Sequence, residues 1–249
     1  MRRVILLFMI VASGCMAEQT EYLFRQGVDA YQQNDYETAV SHFEAALQQG
    51  RASAAIYYNL GNAYYKMGQT GKAILNYERA KKLAPSDDDI EFNLQIAQLR
   101  VVDKIPSPEA DFFFQFWHGT KNLLSLKAFA MLAVGLYLLL IALIVIRFFS
   151  KNTVLLNWTR IFRLPIFILL FFIGALFAVR VREDVHNRHG IILVEKVSVV
   201  SSPSADSTEM FALHEGVKIQ IIAQSGDFFR IRLTDGKDGW IPHTALEII

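Results

Sequence analysis

The spacing of hydrophobic residues changes character along the chain, and each change marks a predicted segment. Residues 20–102 carry apolar side chains at the three- and four-residue spacing of amphipathic helices. From Ala128 to Val179 almost every residue is apolar, whereas residues 217–233 alternate apolar with polar side chains, as a half-buried strand does. The pattern predicts a multidomain protein with an all-α solenoid, a two-helix transmembrane hairpin and a small all-β barrel.

The first segment, residues 20–105, contains an internal repeat. At an offset of 34 residues Gly27 falls on Gly61 and Phe43 on Tyr77, and alanines recur between them. The pattern resembles the tetratricopeptide repeat (TPR), whose unit is two antiparallel helices, and we expect the glycines to let those helices approach closely. Two units are followed by the acidic residues 87–89, which we interpret as the start of a fifth, capping helix and not as a metal site.

The first helix of each unit should line a concave groove that binds an extended peptide or a partner helix. Some relatives clamp a C-terminal carboxylate with Lys and Asn, but Phe24 and Val28 stand at those positions here, so carboxylate capture is not predicted. Asn59 and Asn93 could hydrogen-bond a ligand backbone or only satisfy loops and solvent, and the module could instead pack only against its own chain or a second copy. The predicted groove residues are Phe24, Val28, Tyr31, Tyr58, Asn59, Asn62, Tyr65 and Asn93.

Residues 128–182 are predicted to form the membrane hairpin, after a linker and interfacial aromatic segment at 106–127. Ala128–Ile146 has no charged residue and would reach ~28 Å as a helix, close to the ~30 Å hydrocarbon core. The second span is Leu164–Val179, with Pro165 expected in its first turn. Arg147, Lys151, Arg160 and Arg163 surround the connection without an acid, so the positive-inside rule predicts a cytoplasmic connection and periplasmic flanks.

Residues 1–17 are typical of an export signal, with Arg2 and Arg3 before a short apolar run. Cys15 is a lipidation candidate because the residues before it resemble a lipobox. Cleavage after Ala17 and an uncleaved anchor are the alternatives. Each of these would export the following segment, which agrees with a location in the bacterial inner membrane.

Residues 184–249 are predicted to form the small barrel. The segment from Asp235 to Ile241, with Gly239 and Trp240, resembles the closing motif of bacterial SH3 (SH3b) domains, which implies binding of cell-wall peptides or other proteins. Phe228 and Trp240 could form an exposed aromatic surface, although Trp240 could equally belong to the core. We interpret His186 and His189 as a solvated linker and not as a metal pair.

Composition narrows the possible functions. The net charge of +1 argues against nucleic acid as a partner, and apolar residues make up 53% against 20% charged. Cys15 is the only cysteine, which excludes a disulfide framework and a cysteine nucleophile in the folded segments. With no GxSxG, phosphate-loop or HExxH motif in the sequence, we predict no catalytic residue, no metal and no cofactor.

The order of export signal, two repeats, membrane hairpin and SH3b-like segment resembles the BatE-type proteins of bacterial aerotolerance operons. That resemblance implies a non-enzymatic scaffold in an envelope complex linked to stress tolerance. MoxR-type ATPases and von Willebrand A-domain membrane proteins would be its partners. The alternative is an envelope sensor that binds peptidoglycan through the β domain.

Overall fold

A computed structural model describes residues 18–50, 52–106, 125–186, 188–204 and 206–249. The predicted export signal with Cys15, and the aromatic segment at 111–118, lie outside the described residues. The chain divides into two compact units. The first combines Met1–Glu109 with Arg188–Ile249, and the second is Ala110–Asn187.

Five helices form the repeat part of the first unit. Their antiparallel pairs follow from short turns, and the predicted turn residues Asn34 and Gly68 have the positive φ angles of 62° and 76° that end a helix tightly. Asp35 and Ser53 cap two of the helices with their side-chain oxygens. The helices are α1 (18–32), α2 (Tyr36–Gln48), α3 (Ala54–Lys66), α4 (Thr70–Leu83) and α5 (Asp88–Leu99).

The repeat glycines lie at the closest approach between paired helices, as predicted. A Cβ on Gly27 would lie 2.5 Å from the Phe43 ring, and one on Gly61 would lie 2.6 Å from the Tyr77 ring. Both rings are buried, so they have no free space into which to move. The small residue and the large ring therefore act as a matched pair in each repeat.

Helix α5 confirms the interpretation of the acidic residues as a helix start. The Asp87 carboxylate accepts hydrogen bonds from the backbone N–H groups of Asp89 and Ile90. The apolar face of α5 is buried through Ile90 and Leu94, and the helix packs on α4. Helix α5 thus takes the place that the first helix of a third repeat would occupy, and it covers the edge of the second repeat.

The C-terminal residues form one antiparallel sheet of seven strands, in the order β3-β2-β6-β5-β4-β1-β7. The predicted alternation holds in β4, whose Ile219 and Ile221 are buried, and Gly236 turns the chain between β5 and β6 with a φ of 91°. Strand β1, which includes His189, occupies residues that we had interpreted as a linker. The strands are β1 (Arg188–Ile192), β2 (Lys196–Val200), β3 (Glu209–His214), β4 (Lys218–Ser225), β5 (Phe228–Arg232), β6 (Asp238–Pro242) and β7 (Leu246–Ile248).

The repeats and the sheet share one hydrophobic core, so the repeat module does pack against its own chain, which the sequence left open as an alternative. Ile74 of α4 and Val101 after α5 are buried in the same cluster as Ile191 and Ile192 of β1. The packing is close, because a Cβ on Gly216 would lie 2.8 Å from Val101 and 3.0 Å from Ile74. The two parts of the first unit are therefore packed as one body, although the hairpin residues separate them in sequence.

The second unit contains two long apolar helices, α6 (Leu126–Phe149) and α7 (Thr153–His186). They are antiparallel, because Phe129 packs with Ile173 and Leu176 and the turn is residues 150–152. Both are long and apolar enough to cross a membrane. In the most apolar stretch of α6 only 6% is buried, and in that of α7 only 11%. A core helix of a soluble protein would be mostly buried, so the exposure is compatible with a membrane hairpin.

The position of Pro165 differs from the prediction. Helix α7 begins at Thr153, so Pro165 lies inside the helix and not in its first turn. Because Pro165 has no N–H, the carbonyl of Ile161 lacks its usual i→i−4 hydrogen-bond donor. Long apolar helices that span membranes tolerate such a proline, since local changes of the backbone provide other partners. The basic residues at the predicted connection consequently include two, Arg160 and Arg163, that lie on the helix.

Candidate partner-binding surfaces

Helices α1, α3 and α5 position the predicted groove residues on one side of the repeats. Phe24, Val28 and Tyr31 recur on α1 at the four- and three-residue spacing of one helical face. Residues 58, 62 and 65 repeat that spacing on α3, and Asn93 lies on α5. All eight predicted residues are half-buried, so their side chains contribute to packing while keeping some surface accessible.

Three of the predicted residues form a hydrogen-bond network across the groove. The Asn93 amide donates to the hydroxyl of Tyr58 at 2.7 Å and to the Oδ1 of Asn62 at 3.2 Å. Asn62 also accepts from the hydroxyl of Tyr77 at 2.7 Å. Since these bonds join α3, α4 and α5, they fix the spacing of the helices that form this part of the groove.

Asn59 does not join this network, although it is the repeat equivalent of Asn93. Its amide donates to the carbonyl of Ala55 on its own helix at 2.8 Å. The reason lies one repeat earlier, where Phe24 and Val28 occupy the positions of Tyr58 and Asn62 and offer no hydrogen-bond acceptor. Equivalent positions therefore differ in chemistry because the preceding helix differs.

Aromatic contacts define the rest of the groove. The Phe24 and Phe43 rings lie 5.8 Å apart, and the Tyr31 and Tyr36 rings 5.3 Å apart in an edge-to-face arrangement. Burial raises the pKa of Tyr31, and the neighbouring phenols of Tyr36 and Tyr58 raise it further. The Tyr31 hydroxyl consequently stays protonated at physiological pH, which leaves the surface neutral here.

Arg100 contacts the predicted groove residue Tyr65, although the sequence did not indicate it. Its guanidinium carbon lies 3.7 Å from the centroid of the Tyr65 ring, and its Nη1 donates to the Tyr65 carbonyl at 3.2 Å. The available signal was its position one repeat length beyond Lys66. Arg100 gives this end of the groove a cation beside the neutral aromatic and amide groups.

Phe228 and Trp240 lie on the same face of the sheet. Trp240 is opposite Arg230 and Phe228 is opposite Pro242 in the β5–β6 register, while Phe229 and Ile241 point into the core. Both predicted residues are half-buried, so neither is a fully buried core side chain. The outer face of the sheet thus presents two aromatic residues beside Arg230 and Arg232, which lie 2.8 Å and 3.9 Å from the Asp238 carboxylate.

Polar contacts join the repeats to the sheet, and sequence reasoning identified none of them. Glu78, which is 8% exposed, pairs with Lys218 at 2.8 Å, so its charge is compensated across the joint. The Asp103 carboxylate accepts from the backbone N–H of His214 at 2.6 Å, and its other oxygen lies 3.2 Å from the His214 ring. These contacts give the shared core a defined orientation in addition to apolar burial.

Among the described residues, the acidic and histidine side chains are not gathered as metal ligands would be. Within the part of the chain that the structure describes, no group of three or more His, Cys, Asp or Glu side chains could hold a metal ion. The groove and the outer sheet face instead present aromatic, amide and guanidinium groups. Such surfaces recognise other macromolecules by stacking and hydrogen bonding.

Comparison with known families agrees with the helical architecture. A family model described as TPR repeat matches residues 29–68, and one described as tetratricopeptide repeat matches residues 54–87. No curated protein matches the chain. The chain contains tetratricopeptide repeats, which indicates a role in protein–protein interaction.

Proposed function

We propose that the protein is a non-enzymatic, membrane-anchored scaffold that docks another envelope protein in the groove of α1, α3 and α5. The observation that carries this proposal is the half-buried network of Tyr58, Asn62 and Asn93 between helices of neighbouring repeats. It holds an aromatic and amide surface in place before a partner arrives. A preorganised surface loses less conformational freedom on binding, which favours its use as a docking site.

The construction of the first unit supports an anchor that crosses the membrane twice. Residues before the hairpin and residues after it share one core, so both flanks must be on the same side of any membrane. A pair of spanning helices, α6 and α7, satisfies that condition, whereas a single span would separate the two flanks. This reasoning does not use the distribution of basic residues.

The orientation rests on charge. Arg147, Lys151, Arg160 and Arg163 gather near the turn of the hairpin, which favours a cytoplasmic turn and a periplasmic first unit in the bacterial inner membrane. The expected setting is an aerotolerance or stress-related complex with MoxR-type ATPases and von Willebrand A-domain proteins. That setting comes from the resemblance of the domain order.

Site-specific photocrosslinking in cells tests the docking role on the intact chain. A photoreactive phenylalanine analogue at Tyr31 or Tyr65 should yield a discrete adduct with a von Willebrand A-domain protein. The matched control is the same analogue at Glu37, which is exposed on α2 outside the groove. Adducts of equal yield at all three positions, or none at either tyrosine, would contradict docking in the groove.

Reporter fusions test the topology separately. Reporters that are active only in the periplasm should give activity after Lys104 and after Ile249 and none at Asn157. Activity at Asn157 alone would reverse the orientation. Activity at only one of the two flanks would contradict the shared core of the first unit.

A second candidate, a peptidoglycan-binding sensor, is favoured by Phe228 and Trp240 on the outer sheet face. The aromatic rings suit the apolar faces of sugars, and Arg230, which already pairs with Asp238 at 2.8 Å, adds hydrogen-bond donors beside them. Purified cell wall should sediment the detergent-solubilised full chain, and Trp240→Ala should reduce the bound fraction. Sedimentation that is unchanged by Trp240→Ala would assign wall binding to another surface.

A further inference from the structure

The hairpin carries a charge imbalance that the scaffold role does not explain. No Asp or Glu occurs between Asp111 and Glu183, whereas lysines and arginines recur throughout this stretch. Two of them, Arg160 and Arg163, lie on α7 and are exposed. Neither has an acidic partner among the described residues.

The register of the hairpin fixes the depth of these two arginines. Phe129 packs in one cluster with Ile173 and Leu176, so the centre of the hairpin lies at Lys151 or Asn152 in the turn. Counting outward from there places Arg160 level with residues 142–145 and Arg163 level with residues 139–142. These residues on α6 belong to the half of the uncharged stretch Ala128–Ile146 that is nearest the turn.

The surroundings at this level are hydrocarbon on the lipid side. Leu138 and Leu139 of α6 are 58% and 47% exposed, so they contact lipid if α6 spans the membrane. At this level of α7 the Thr159 side chain is buried, with 3% exposed, whereas Arg160 and Arg163 are both exposed. A charged side chain at such a depth is costly unless it pairs with an anion or reaches the headgroups.

We propose that Arg160 and Arg163 extend their side chains towards the cytoplasmic end of the hairpin and there bind the phosphate of an anionic phospholipid. One helical turn separates the two guanidinium groups, so both can donate to the same phosphate oxygens. Trp158 and Phe162, stacked with centroids 5.6 Å apart, lie at the same depth on another face of α7 and suit the interfacial region. The inference rests on the proposed membrane anchoring.

The test uses the full chain in nanodiscs of phosphatidylcholine with a minority of phosphatidylglycerol. Native mass spectrometry after release from the nanodisc measures which lipid stays bound. We expect phosphatidylglycerol to be enriched roughly 30-fold over its bulk fraction, since two nearby basic residues contribute on the order of 1 kcal/mol each and 1.4 kcal/mol corresponds to a factor of ten. Arg160→Ala with Arg163→Ala should return the bound fraction to the bulk value.

The matched control removes the same charge at the other end of the hairpin, with Lys127→Ala and Arg182→Ala, and should retain the enrichment. Loss of enrichment in both double variants would show a nonspecific charge effect and overturn the site. Displacement of the lipid by millimolar inorganic phosphate would show that the site takes a free anion instead. Alkaline carbonate extraction separates the two proposals, because release of the wild-type chain from membranes would refute the anchor itself.

Discussion

Ile74 offers the most direct test that the repeats and the sheet fold as one unit. Its side chain is 0% exposed and lies between α4 and the turn before β4, where a Cβ on Gly216 would lie only 3.0 Å from it. Ile74→Ala would leave a cavity bounded by a helix and a sheet that are both held by further contacts. Because the surrounding structure can relax only partly into this cavity, the free energy of unfolding should fall by about 3–5 kcal/mol, in the upper part of the range for such truncations.

The readout is hydrogen exchange of the sheet, measured by mass spectrometry on the detergent-solubilised full chain. If the unit is cooperative, the slowest amides of β4 and β5 should exchange roughly 140-fold to about 4,000-fold faster in Ile74→Ala, because 1.4 kcal/mol corresponds to a factor of ten. Ile74 contacts the turn before β4, so equal acceleration in β5, which lies on the other side of β4 from β1, distinguishes cooperative opening from a local effect.

The matched control is Ile173→Ala, the same truncation at a buried position of the second unit. It should leave the exchange of β4 and β5 unchanged. Faster exchange in α3 and α4 of Ile74→Ala, with β4 and β5 unaffected, would show that the sheet opens independently and would refute the cooperative unit.

Two further predictions concern the repeats. Gly61→Ala should lower the free energy of unfolding by about 1–3 kcal/mol, because its Cβ would overlap the buried Tyr77 ring. Chemical denaturation measures the change, and the control is Gly135→Ala, where a Cβ would meet open space. Burial raises the Tyr64 pKa, as does its hydrogen bond to Glu44, so the folded state favours the neutral phenol; stability is fully present below pH ~10 and falls as pH rises above it. Tyr64→Phe should flatten that alkaline loss in denaturation midpoints measured from pH 9 to 12, and an unchanged slope would contradict the assignment.

The repeat architecture could be predicted because its determinants are local. Asn34 and Gly68 form tight turns because of their own positive φ angles. Gly27 and Gly61 indicate a close approach to an aromatic ring in the same repeat. Spacing in the sequence reports such features directly. The family models agree on the repeats for the same reason, since they match the same spacing.

The joint between repeats and sheet could not be predicted in this way. The backbone N–H of Gly71 donates to the Glu215 carboxylate at 3.1 Å across 144 positions of sequence, and no periodic pattern relates two such residues. Strand β1 was not predicted because it has only two apolar residues, which follow two polar residues and Gly190, so no alternation of apolar and polar positions is visible.

The candidate groove was predicted in outline but not in its bonding. Position within the repeat selected Asn59 and Asn93 as equivalents, and only the structure reveals that Asn93 meets Tyr58 and Asn62. The difference arises from the side chains of the preceding helix. Arg100 was missed because it follows the last turn of α5, past the helical residues from which the groove was predicted, although it lies one repeat length beyond Lys66.

The order of synthesis has a consequence for how the first unit matures. The ribosome completes α4 and α5 before it makes the hairpin, and the strands that cover Ile74 and Val101 emerge last. Until then a nascent repeat domain exposes an apolar surface while the two long apolar helices are being made. Termination or cleavage of the chain before β1 would leave that surface uncovered, so truncated products should be preferred substrates for chaperones and proteases.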